Sequence, residues 1–326
     1  MELRVGFIGC GGIAREHMKR VKKIEGVKLV GMCDLNEEAA RKCANEYGGN
    51  VYTDFRKMFE EEKMDACYIC VPPFAHIGQE EECIERDIPF FVEKPIHLNI
   101  EKAKEILKKI KEKNLITSVG YVLRYLDIVE KMKELLKNEN IGLVRGRYYG
   151  EVPGVGKKSW IIKKNMSGGQ LIEQATHTVD LMRYFCGDIE EIYAYKFEGI
   201  NNKIYEGYDV EDGLTMIMKF KSGTIGNLTC TWLWRGYESD IEIVGKNVII
   251  TYYKGNSIEI NKGDRIERYI ANVDPMWEED MAFIKSVKEN TNKYIKSDYL
   301  DAFKSFVVTV LAHESIEKNQ PIKLSE

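Results

Sequence analysis

A lysine at the end of a short apolar segment is the first residue whose type and position could do chemistry. The segment Pro89–Pro95 (PFFVEKP) is apolar up to Glu93 and Lys94, which is typical of an interior strand of a parallel sheet. Open α/β sheets bind their ligands at the carboxyl ends of such strands. Lys94 could therefore donate a hydrogen bond to a reacting oxygen or act as a base. A lone lysine at a strand end more commonly extends into solvent. Other motifs must therefore decide whether Lys94 has a chemical role.

A glutamate and a histidine follow the glycine pair Gly168–Gly169. We expect a helix over Leu171–Phe185, which would place Glu173 and His177, four residues apart, on one face. Histidine is the usual proton carrier near neutral pH, and a neighbouring carboxylate can fix its tautomer. The pair is a candidate for acid–base chemistry, although a surface Glu–His pair explains the spacing equally well.

A glycine-rich turn near the N-terminus has the spacing Gly9-x-Gly11-x-x-Ala14, after an apolar segment and before a helical one. In the dinucleotide-binding pattern the first glycine permits a tight turn, the second lets the backbone approach a pyrophosphate, and the last small residue permits close helix–strand packing. The anion would meet free N–H groups at the helix start. The residues predicted to bind this cofactor are Gly9, Cys10, Gly11, Gly12, Ile13 and Ala14.

Asp34 ends the second predicted strand, 20 residues after Ala14. An acidic side chain at this position binds the ribose hydroxyls of a dinucleotide. It would repel a 2′-phosphate, and residues 35–38 offer no cation to accept one. We therefore predict NAD as the cofactor, in preference to NADP.

Two histidines near the predicted sheet have weaker support. Pro72 and His76 follow another predicted strand, so His76 is expected to open a helix and could border the nicotinamide. An ordinary helix-start histidine explains His76 as well. His17 is expected simply to lie on a face of the first helix.

The order of the predicted elements gives the fold class. Apolar and helical segments alternate over about the first 120 residues, which predicts a doubly wound parallel sheet of the Rossmann type. Between about residues 190 and 270 strands follow one another with only turn signals between them. This predicts a C-terminal α+β domain with a large, mostly antiparallel open sheet. The expected domains are residues 1–121 and 122–326.

One long strand is expected in the second sheet, over Thr224–Trp234. Its alternation would place large residues on a core-facing side and threonines on a side that could be open to a partner subunit. The residues of the predicted core-facing side are Leu228, Cys230, Trp232 and Trp234.

The composition limits the classes of function. The chain has 326 residues and a net charge of −4, so we expect no nucleic-acid or anionic-membrane partner. Its apolar runs fall short of the roughly 20 residues that a membrane helix needs. Because the N-terminus enters a strand at once, we expect no signal peptide and a cytoplasmic location. Cys67-x-x-Cys70 lies in a predicted strand, where positions three apart face opposite ways, so we predict no metal site and reduced cysteines.

Together these segments resemble the family of glucose–fructose oxidoreductase, inositol dehydrogenase and the rhizopine-catabolism proteins (Gfo/Idh/MocA). The resemblance implies an N-terminal Rossmann domain, a C-terminal mixed-sheet domain, a substrate between them over the nicotinamide, and a homodimer or homotetramer formed through the C-terminal sheet. The segments that carry it, in order, are Gly9–Ala14, Asp34, Pro72–His76, Glu93–Pro95, Gly120–Arg124, Gly168–Asp180 and the final helix.

The resemblance also implies roles for single residues. Lys94 matches the family's catalytic or substrate-orienting lysine, and His177 matches its catalytic histidine. The family has an aspartate four residues before that histidine, whereas Glu173 is one methylene longer and could orient the histidine instead of contacting substrate. Arg124 matches an arginine that is structural or lines the cleft. The other predicted contacts are those of Pro72, Glu93 and Lys94 with the cofactor, and those of Tyr121, Arg124 and Trp160 with the substrate.

The loop that carries Trp160 is basic. Lys157, Lys158, Lys163 and Lys164 could bind a phosphate or a carboxylate of the substrate. A solvated basic loop is the commoner explanation of such a cluster.

The resulting hypothesis is the reversible oxidation of a secondary alcohol of a sugar, inositol or related polyol. His177 would remove the hydroxyl proton and Lys94 would stabilise the alkoxide, or the two roles would be exchanged. Two alternatives stay open. One is a redox-neutral glycosidase or epimerase with tightly held NAD, and the other is a non-catalytic nucleotide-sensing regulator, which would be expected to lose Lys94 or His177.

Overall fold

The computed structural model describes residues 2–154 and 159–324. The chain forms two compact units, each of which draws on two separate parts of the sequence. The first comprises Met1–Tyr125 and Asp274–Phe303, and the second comprises Leu126–Val273 and Lys304–Glu326.

The first unit is built on a parallel sheet of six strands in the order β3-β2-β1-β4-β5-β6. Its helices begin with side-chain caps where the sequence offers them: Asn36 accepts hydrogen bonds from the amides of Glu38 and Ala39. The predicted doubly wound sheet is confirmed. The strands are β1 (Leu3–Ile8), β2 (Val27–Cys33), β3 (Asn50–Tyr52), β4 (Ala66–Ile69), β5 (Phe90–Val92) and β6 (Thr117–Val119), and the helices are α1 (Gly12–Val21), α2 (Glu37–Tyr47), α3 (Phe55–Glu61), α4 (Gln79–Glu85) and α5 (Ile100–Lys113).

The second unit is built on a nine-stranded sheet in which one pair, β7 and β10, is parallel and the other pairs are antiparallel. The predicted mostly antiparallel sheet is confirmed. Its elements are α6 (Asp127–Leu136), β7 (Ile141–Glu151), α7 (Lys164–Ser167), α8 (Gln170–Glu173), α9 (Thr176–Cys186), β8 (Ile189–Phe197), β9 (Gly213–Phe220), β10 (Ile225–Thr231), β11 (Leu233–Gly245), β12 (Ile249–Tyr253), β13 (Ser257–Asn261) and β14 (Ile266–Ile270).

The chain ends with the helices α10 (Pro275–Glu289) and α11 (Tyr299–Lys318) and the short strand β15 (Ile322–Lys323). Helix α10 belongs to the first unit, where Phe283 packs edge-on against Tyr68, with ring centroids 5.3 Å apart. Tyr68 in turn stacks on Phe7 and Phe91 at 4.6 and 4.9 Å. Because α10 completes this aromatic core, the compact units differ from the expected division at residues 121 and 122.

The expected strand over Thr224–Trp234 is wrong at its end. Strand β10 stops at Thr231, and β11 begins at Leu233. Leu228, Cys230 and Trp232 are buried as predicted, but Trp234 is 52% exposed. Trp232 is held between the strands because its amide donates to the Asp212 carbonyl and its ring N–H to Gln174, which ends the alternation.

Candidate active site

The glycine-rich turn joins β1 to α1. Gly9 has a φ of +95°, and a Cβ there would lie 2.3 Å from the Cys70 carbonyl oxygen, so this position requires glycine. By contrast, apart from the adjoining residues and the nearby backbone of α1, no atom of the described residues lies within 4 Å of where a Cβ of Gly11 or Gly12 would be. Gly11 precedes α1, whose start receives no side-chain cap from the described residues. The turn therefore presents open backbone N–H groups, which suit a pyrophosphate.

Asp34 lies beside this turn at the end of β2. Its carboxylate accepts hydrogen bonds from the amides of Cys10 and Asn36, both at 2.8 Å. The first basic residue after it, Arg41, forms an ion pair with Glu37. A fixed carboxylate with acidic neighbours fits the free ribose hydroxyls of NAD better than the 2′-phosphate of NADP.

His76 does not open a helix, so this expectation is wrong. Pro73–Ala75 form a 3-10 turn, and α4 begins only at Gln79, after Gly78 with a φ of +122°. The His76 side chain is 1% exposed, and its Nδ1 is hydrogen-bonded to Glu80. Burial alone would raise the pKa of the Glu80 carboxyl, but the charge and hydrogen bond of His76 hold that pKa below its usual range. The spacing of four residues between His76 and Glu80 was the signal that could have revealed this pair.

The ring of His97 lies 6.0 Å from that of His76, centroid to centroid. Its Nδ1 accepts hydrogen bonds from the amides of Leu98 and Asn99 at 2.9 Å, so the proton of the neutral ring is on Nε2. Burial, reinforced by His76, lowers the pKa of His97. His97 is therefore a neutral side chain that follows Lys94 closely in sequence.

Lys94 stands half-buried directly after Glu93 at the end of β5, and a cis peptide bond joins it to Pro95. The Glu93 carboxylate points into the first unit. One of its oxygens lies 3.0 Å from His17 Nε2, and the other accepts the Lys94 amide at 3.1 Å. These partners already engage both oxygens of the Glu93 carboxylate. The contact of Glu93 with the cofactor stays a prediction.

His17 lies on α1, as expected, but on the face that packs into the interior. The side chain is fully buried, and Nδ1 lies 2.7 Å from Asp280 on α10. Asp280 is 263 residues away along the chain, so no local pattern of residues could indicate the contact.

Tyr121 and Arg124 follow β6 in the first unit, and both are at most 2% exposed. The Arg124 guanidinium donates to the Lys296 carbonyl at 2.6 Å and pairs with Asp301. Of the two roles expected for Arg124, these contacts favour the structural one. A substrate contact of Tyr121 stays a prediction.

Glu173 and His177 belong to the second unit and are both half-buried. The expected continuous helix is wrong: α8 ends at Glu173, Gln174 and Ala175 interrupt it, and α9 begins at Thr176. The argument that both side chains share one helical face therefore fails. Gln174 leaves the helical conformation, with φ −121° and ψ −53°, where its side chain accepts the Trp232 ring N–H at 2.9 Å.

Next to Gly169, which precedes α8, lies a pair of residues that the sequence did not reveal. A Cβ on Gly169, whose φ is +90°, would lie 2.5 Å from a carboxylate oxygen of Glu211. The same oxygen is 3.8 Å from His313 Nε2. Burial raises the pKa of Glu211 to about 7 and lowers that of His313 to about 4.

Trp160 packs in a small apolar cluster of the second unit with Val152, Ile161, Tyr208 and Trp232. Its expected contact with substrate stays a prediction. Of the basic loop, Lys164 lies 3.8 Å from Glu317, whereas Lys157 and Lys158 lie outside the described residues.

The first unit thus brings the glycine-rich turn, Asp34, Pro72–His76 and Glu93–Lys94 to the carboxyl ends of its parallel strands. The second unit brings Glu173 and His177 to the interrupted helix after the glycine pair. Residues 2–154 and 159–324 contain no group of three or more histidine, cysteine or acidic side chains placed to hold a metal ion. In the same part of the chain, no helix has the length and apolarity needed to cross a bilayer.

Curated relatives match the chain over most of its length. It is 26% identical to myo-inositol 2-dehydrogenase of Thermotoga maritima, with 99% of each chain covered. It is 29% identical to scyllo-inositol 2-dehydrogenase (NAD(+)) of Bacillus subtilis, over 79% of this chain and 80% of that one.

Solved structures of similar fold cover the whole chain. Levoglucosan dehydrogenase, in complex with NADH, matches with a TM-score of 0.90 at 19% identity, and 100% of each chain is covered. The WlbA dehydrogenase of Bordetella pertussis, in complex with NADH and UDP-GlcNAcA, matches with a TM-score of 0.86 at 21% identity, also with 100% of each covered. At these identities the likeness shows the fold.

Two family models match successive parts of the chain. Residues 3–121 match the oxidoreductase family with an NAD-binding Rossmann fold, and residues 129–251 match the C-terminal domain of the same family. The predictions of an NAD-binding oxidoreductase and of a dehydrogenase acting on CH–OH groups are thereby confirmed. The chain belongs to the GFO/IDH/MocA family of oxidoreductases.

Proposed function

We propose that this protein oxidises a secondary alcohol of a small cyclic polyol or sugar, with NAD as the hydride acceptor. The observation that carries the proposal is Lys94, which follows β5 at the sheet edge that also bears the glycine-rich turn and Asp34. A cationic donor beside a dinucleotide-binding edge suits a reaction in which an alkoxide develops.

The residues of the first unit fit the cofactor. The open N–H groups of the turn at Gly11 and Gly12 would bind the pyrophosphate, and Asp34 would accept hydrogen bonds from the adenosine ribose. When bound, NAD supplies the acceptor for the hydride that leaves the alcohol carbon. The protein's part is to position that carbon and to manage the hydroxyl proton.

We assign the proton to His177 and the stabilisation of the alkoxide to Lys94. Histidine exchanges protons near neutral pH, and a lysine ammonium has three donors for a developing negative oxygen. Glu173, which ends the helical turn before His177, would orient the histidine or a substrate hydroxyl. The exchanged assignment, with Lys94 as the base, remains the alternative within this proposal.

The substrate class is supported by the names of the relatives. Two of them are inositol dehydrogenases, and the chain matches one of these along 99% of its length. We therefore propose a cyclic polyol with adjacent hydroxyls, of which one is oxidised and the others are bound by polar side chains.

The decisive experiment follows NADH formation when the purified protein and NAD are mixed with myo-inositol, scyllo-inositol, levoglucosan and open-chain polyols in turn. We expect a cyclic polyol to give a signal that Lys94→Met abolishes. An unchanged rate in the variant would overturn the role of Lys94. If the protein binds NAD but none of the polyols leads to NADH formation, the proposed substrate class is overturned. That result would favour a redox-neutral enzyme or a regulator.

We also propose that copies of the chain associate through the second sheet. Ile217, Ile225 and Leu143 are 50–59% exposed, and Ile225 pairs with Leu143 across β10 and β7. An exposed apolar patch on a sheet commonly marks a subunit interface. Ile225→Glu should shift the species seen by light scattering to the monomer, and an unchanged mass would refute this interface.

A cytoplasmic location is part of the same proposal. All eight cysteines, each within the described residues, are free thiols and buried. This is the state expected in a reducing compartment. Fractionation of the source cells would test it.

A further inference from the structure

Three charged side chains meet in the interior of the first unit, on α1, after β5 and on α10. His17 is fully buried, with Nδ1 2.7 Å from an Asp280 oxygen and Nε2 3.0 Å from a Glu93 oxygen. An ionised carboxylate can only accept hydrogen bonds, so each ring nitrogen of His17 must carry a proton to bond both carboxylates. The two contacts therefore suit an imidazolium that lies between two carboxylates.

The surroundings keep this charge in place. Burial alone would lower the pKa of His17, but the charges and hydrogen bonds of Asp280 and Glu93 raise it well above its ordinary value. Burial raises the pKa of Asp280, and His17 opposes that shift. The aromatic rings of Phe91 and Tyr68 lie against His17 at 4.8 and 5.6 Å. The side chains of His17 and Asp280 are thereby fully buried, and that of Glu93 is 11% exposed.

Asp280, His17 and Glu93, called the chain of charges below, lead to the backbone of Lys94. The second oxygen of Glu93 accepts the Lys94 amide at 3.1 Å. On the remaining side, a Cβ on Gly120 would lie 2.8 Å from the Glu93 carboxylate. The carboxylate is therefore enclosed by His17, the Lys94 amide and Gly120, with little room to move.

We propose that His17 and Asp280 are positioning residues for Lys94, acting through the carboxylate of Glu93. This inference rests on the proposed function, in which Lys94 acts on the substrate. A buried ion cluster adds little net stability compared with apolar packing, whereas an error of about 1 Å in the position of a reacting group can cost about a hundredfold in rate. The cluster is therefore better explained by the position it imposes than by the stability it adds.

The test compares Asp280→Asn with Asp65→Asn in the full-length protein. Asp65 accepts hydrogen bonds from the amide and guanidinium of Arg4 at the start of β1, at 2.8–3.0 Å, so its loss breaks an ion pair remote from Lys94. We expect Asp280→Asn to lower kcat about tenfold or more and to change the Kd for NAD less than about threefold. Asp65→Asn should lower the melting temperature and leave kcat within about twofold.

A spectroscopic measurement separates this inference from the proposed function. The chain has five histidines, and His17→Asn identifies the His17 signals in ¹⁵N-histidine-labelled protein with NAD. In the wild type both His17 nitrogens should remain protonated above the ordinary histidine pKa of about 6.5. In Asp280→Asn one of them should lose its proton at neutral pH, and the ¹⁵N-lysine amide signal of Lys94 should shift.

Each outcome decides the inference. An unshifted Lys94 amide, or a normal kcat in Asp280→Asn, would overturn it, while loss of turnover in Lys94→Met would still uphold the proposed function. If Lys94→Met kept its turnover, the proposed function would fail, and the amide shift alone would show whether the chain of charges positions Lys94. Should Asp280→Asn not fold, Glu93→Gln, which leaves the His17–Asp280 pair in place, provides the same readouts.

Discussion

The two units hold their candidate reacting groups in different ways. In the first unit the backbone of Lys94 is fixed by buried charges, since Glu93 joins the Lys94 amide to His17 and Asp280. In the second unit the segment that carries His177 is fixed by neutral hydrogen bonds: Gln170 donates to the Thr231 carbonyl, and Gln174 accepts the Trp232 ring N–H. The backbone of Lys94 is thus held by charged side chains, and the segment of His177 is held by neutral side-chain hydrogen bonds.

The difference predicts how far the effect of a single substitution spreads in each unit. Removing one charge from a buried cluster leaves the others uncompensated, so the effect extends through the whole cluster. Neutral amide contacts are weaker and more local, at about 1 kcal/mol each. In the second unit, burial shifts the pKa values of Glu211 and His313, of which Glu211 lies against Gly169.

The largest expected effect is on Lys94 itself. Lys94→Met should lower kcat by at least about a hundredfold, equivalent to about 3 kcal/mol of transition-state stabilisation, because it removes the donor to the alkoxide. The Kd for NAD, measured by fluorescence titration, should change little. Lys102→Met is the matched control, since Lys102 lies on the surface of α5 in an exposed pair with Glu105. Equal losses in both variants would contradict the role of Lys94.

Next in size is a pH effect on the stability of the second unit. Between pH 4.5 and 7 the unfolded chain has released the Glu211 proton that the folded chain keeps. This contribution therefore destabilises the protein as pH rises, by up to about 3 kcal/mol. His313 acts in the opposite direction, because its pKa is lowered to about 4, so stability is gained as pH rises from about 4 to 6.5.

Glu211→Gln isolates the first of these contributions. Urea denaturation at pH 5 and pH 8 should show the variant gaining stability relative to the wild type at the higher pH, because the amide cannot ionise. The His313 contribution is common to both proteins and largely cancels. A stability difference that is the same at both pH values would refute the assignment.

A smaller effect is expected at the helix interruption. Gln174→Ala leaves the ring N–H of buried Trp232 without its acceptor, which should cost about 1–3 kcal/mol of unfolding free energy. It should also lower kcat several-fold by loosening the segment before His177. Asn247→Ala serves as the control, since its exposed amide makes one long contact, 3.4 Å, with Glu139. If Gln174→Ala matched this control in stability, the neutral hydrogen bonds would not hold the segment.

The smallest effect concerns the choice of cofactor and leaves the second unit untouched. Combining Asp34→Ser with Leu35→Arg removes the carboxylate beside the turn and adds a cation at a site that is 86% exposed. The ratio of kcat/KM for NADP over NAD should rise at least about tenfold, or about 1.4 kcal/mol, with little change in kcat at saturating cofactor. An unchanged ratio would exclude Asp34 as the residue that selects NAD.

The first unit followed from the sequence because its signals are local. Strands that are buried on both faces are continuous apolar runs, and Gly9, Gly11 and Asp34 fall where the strand ends require them. The second sheet was harder to predict. Its central strand β7, with the sequence IGLVRGRYYGE, was not predicted because it mixes glycines and arginines and has no clean alternation.

The details of the candidate site depend on contacts between distant residues. Nothing in the sequence near Gln174 and Ala175 predicts a helix break, because the cause is the ring of Trp232, 58 residues later. His17 looks like any polar residue of a first helix until Asp280 is brought against it. Local propensity cannot encode such partners, which tertiary packing alone brings together.

The contribution of α10 to the first unit has a consequence for synthesis on the ribosome. All six strands of the parallel sheet have been made once Val119 is translated, but Phe283 and Asp280 are added only after residues 126–273. At about 5–20 residues per second, the nascent sheet waits roughly 10–30 seconds with Tyr68 and Phe91 lacking the cover of Phe283 and with His17 lacking its Asp280 partner. During that interval the half-made protein presents an aromatic surface to chaperones, and a fragment that stops near residue 121 would keep that surface permanently.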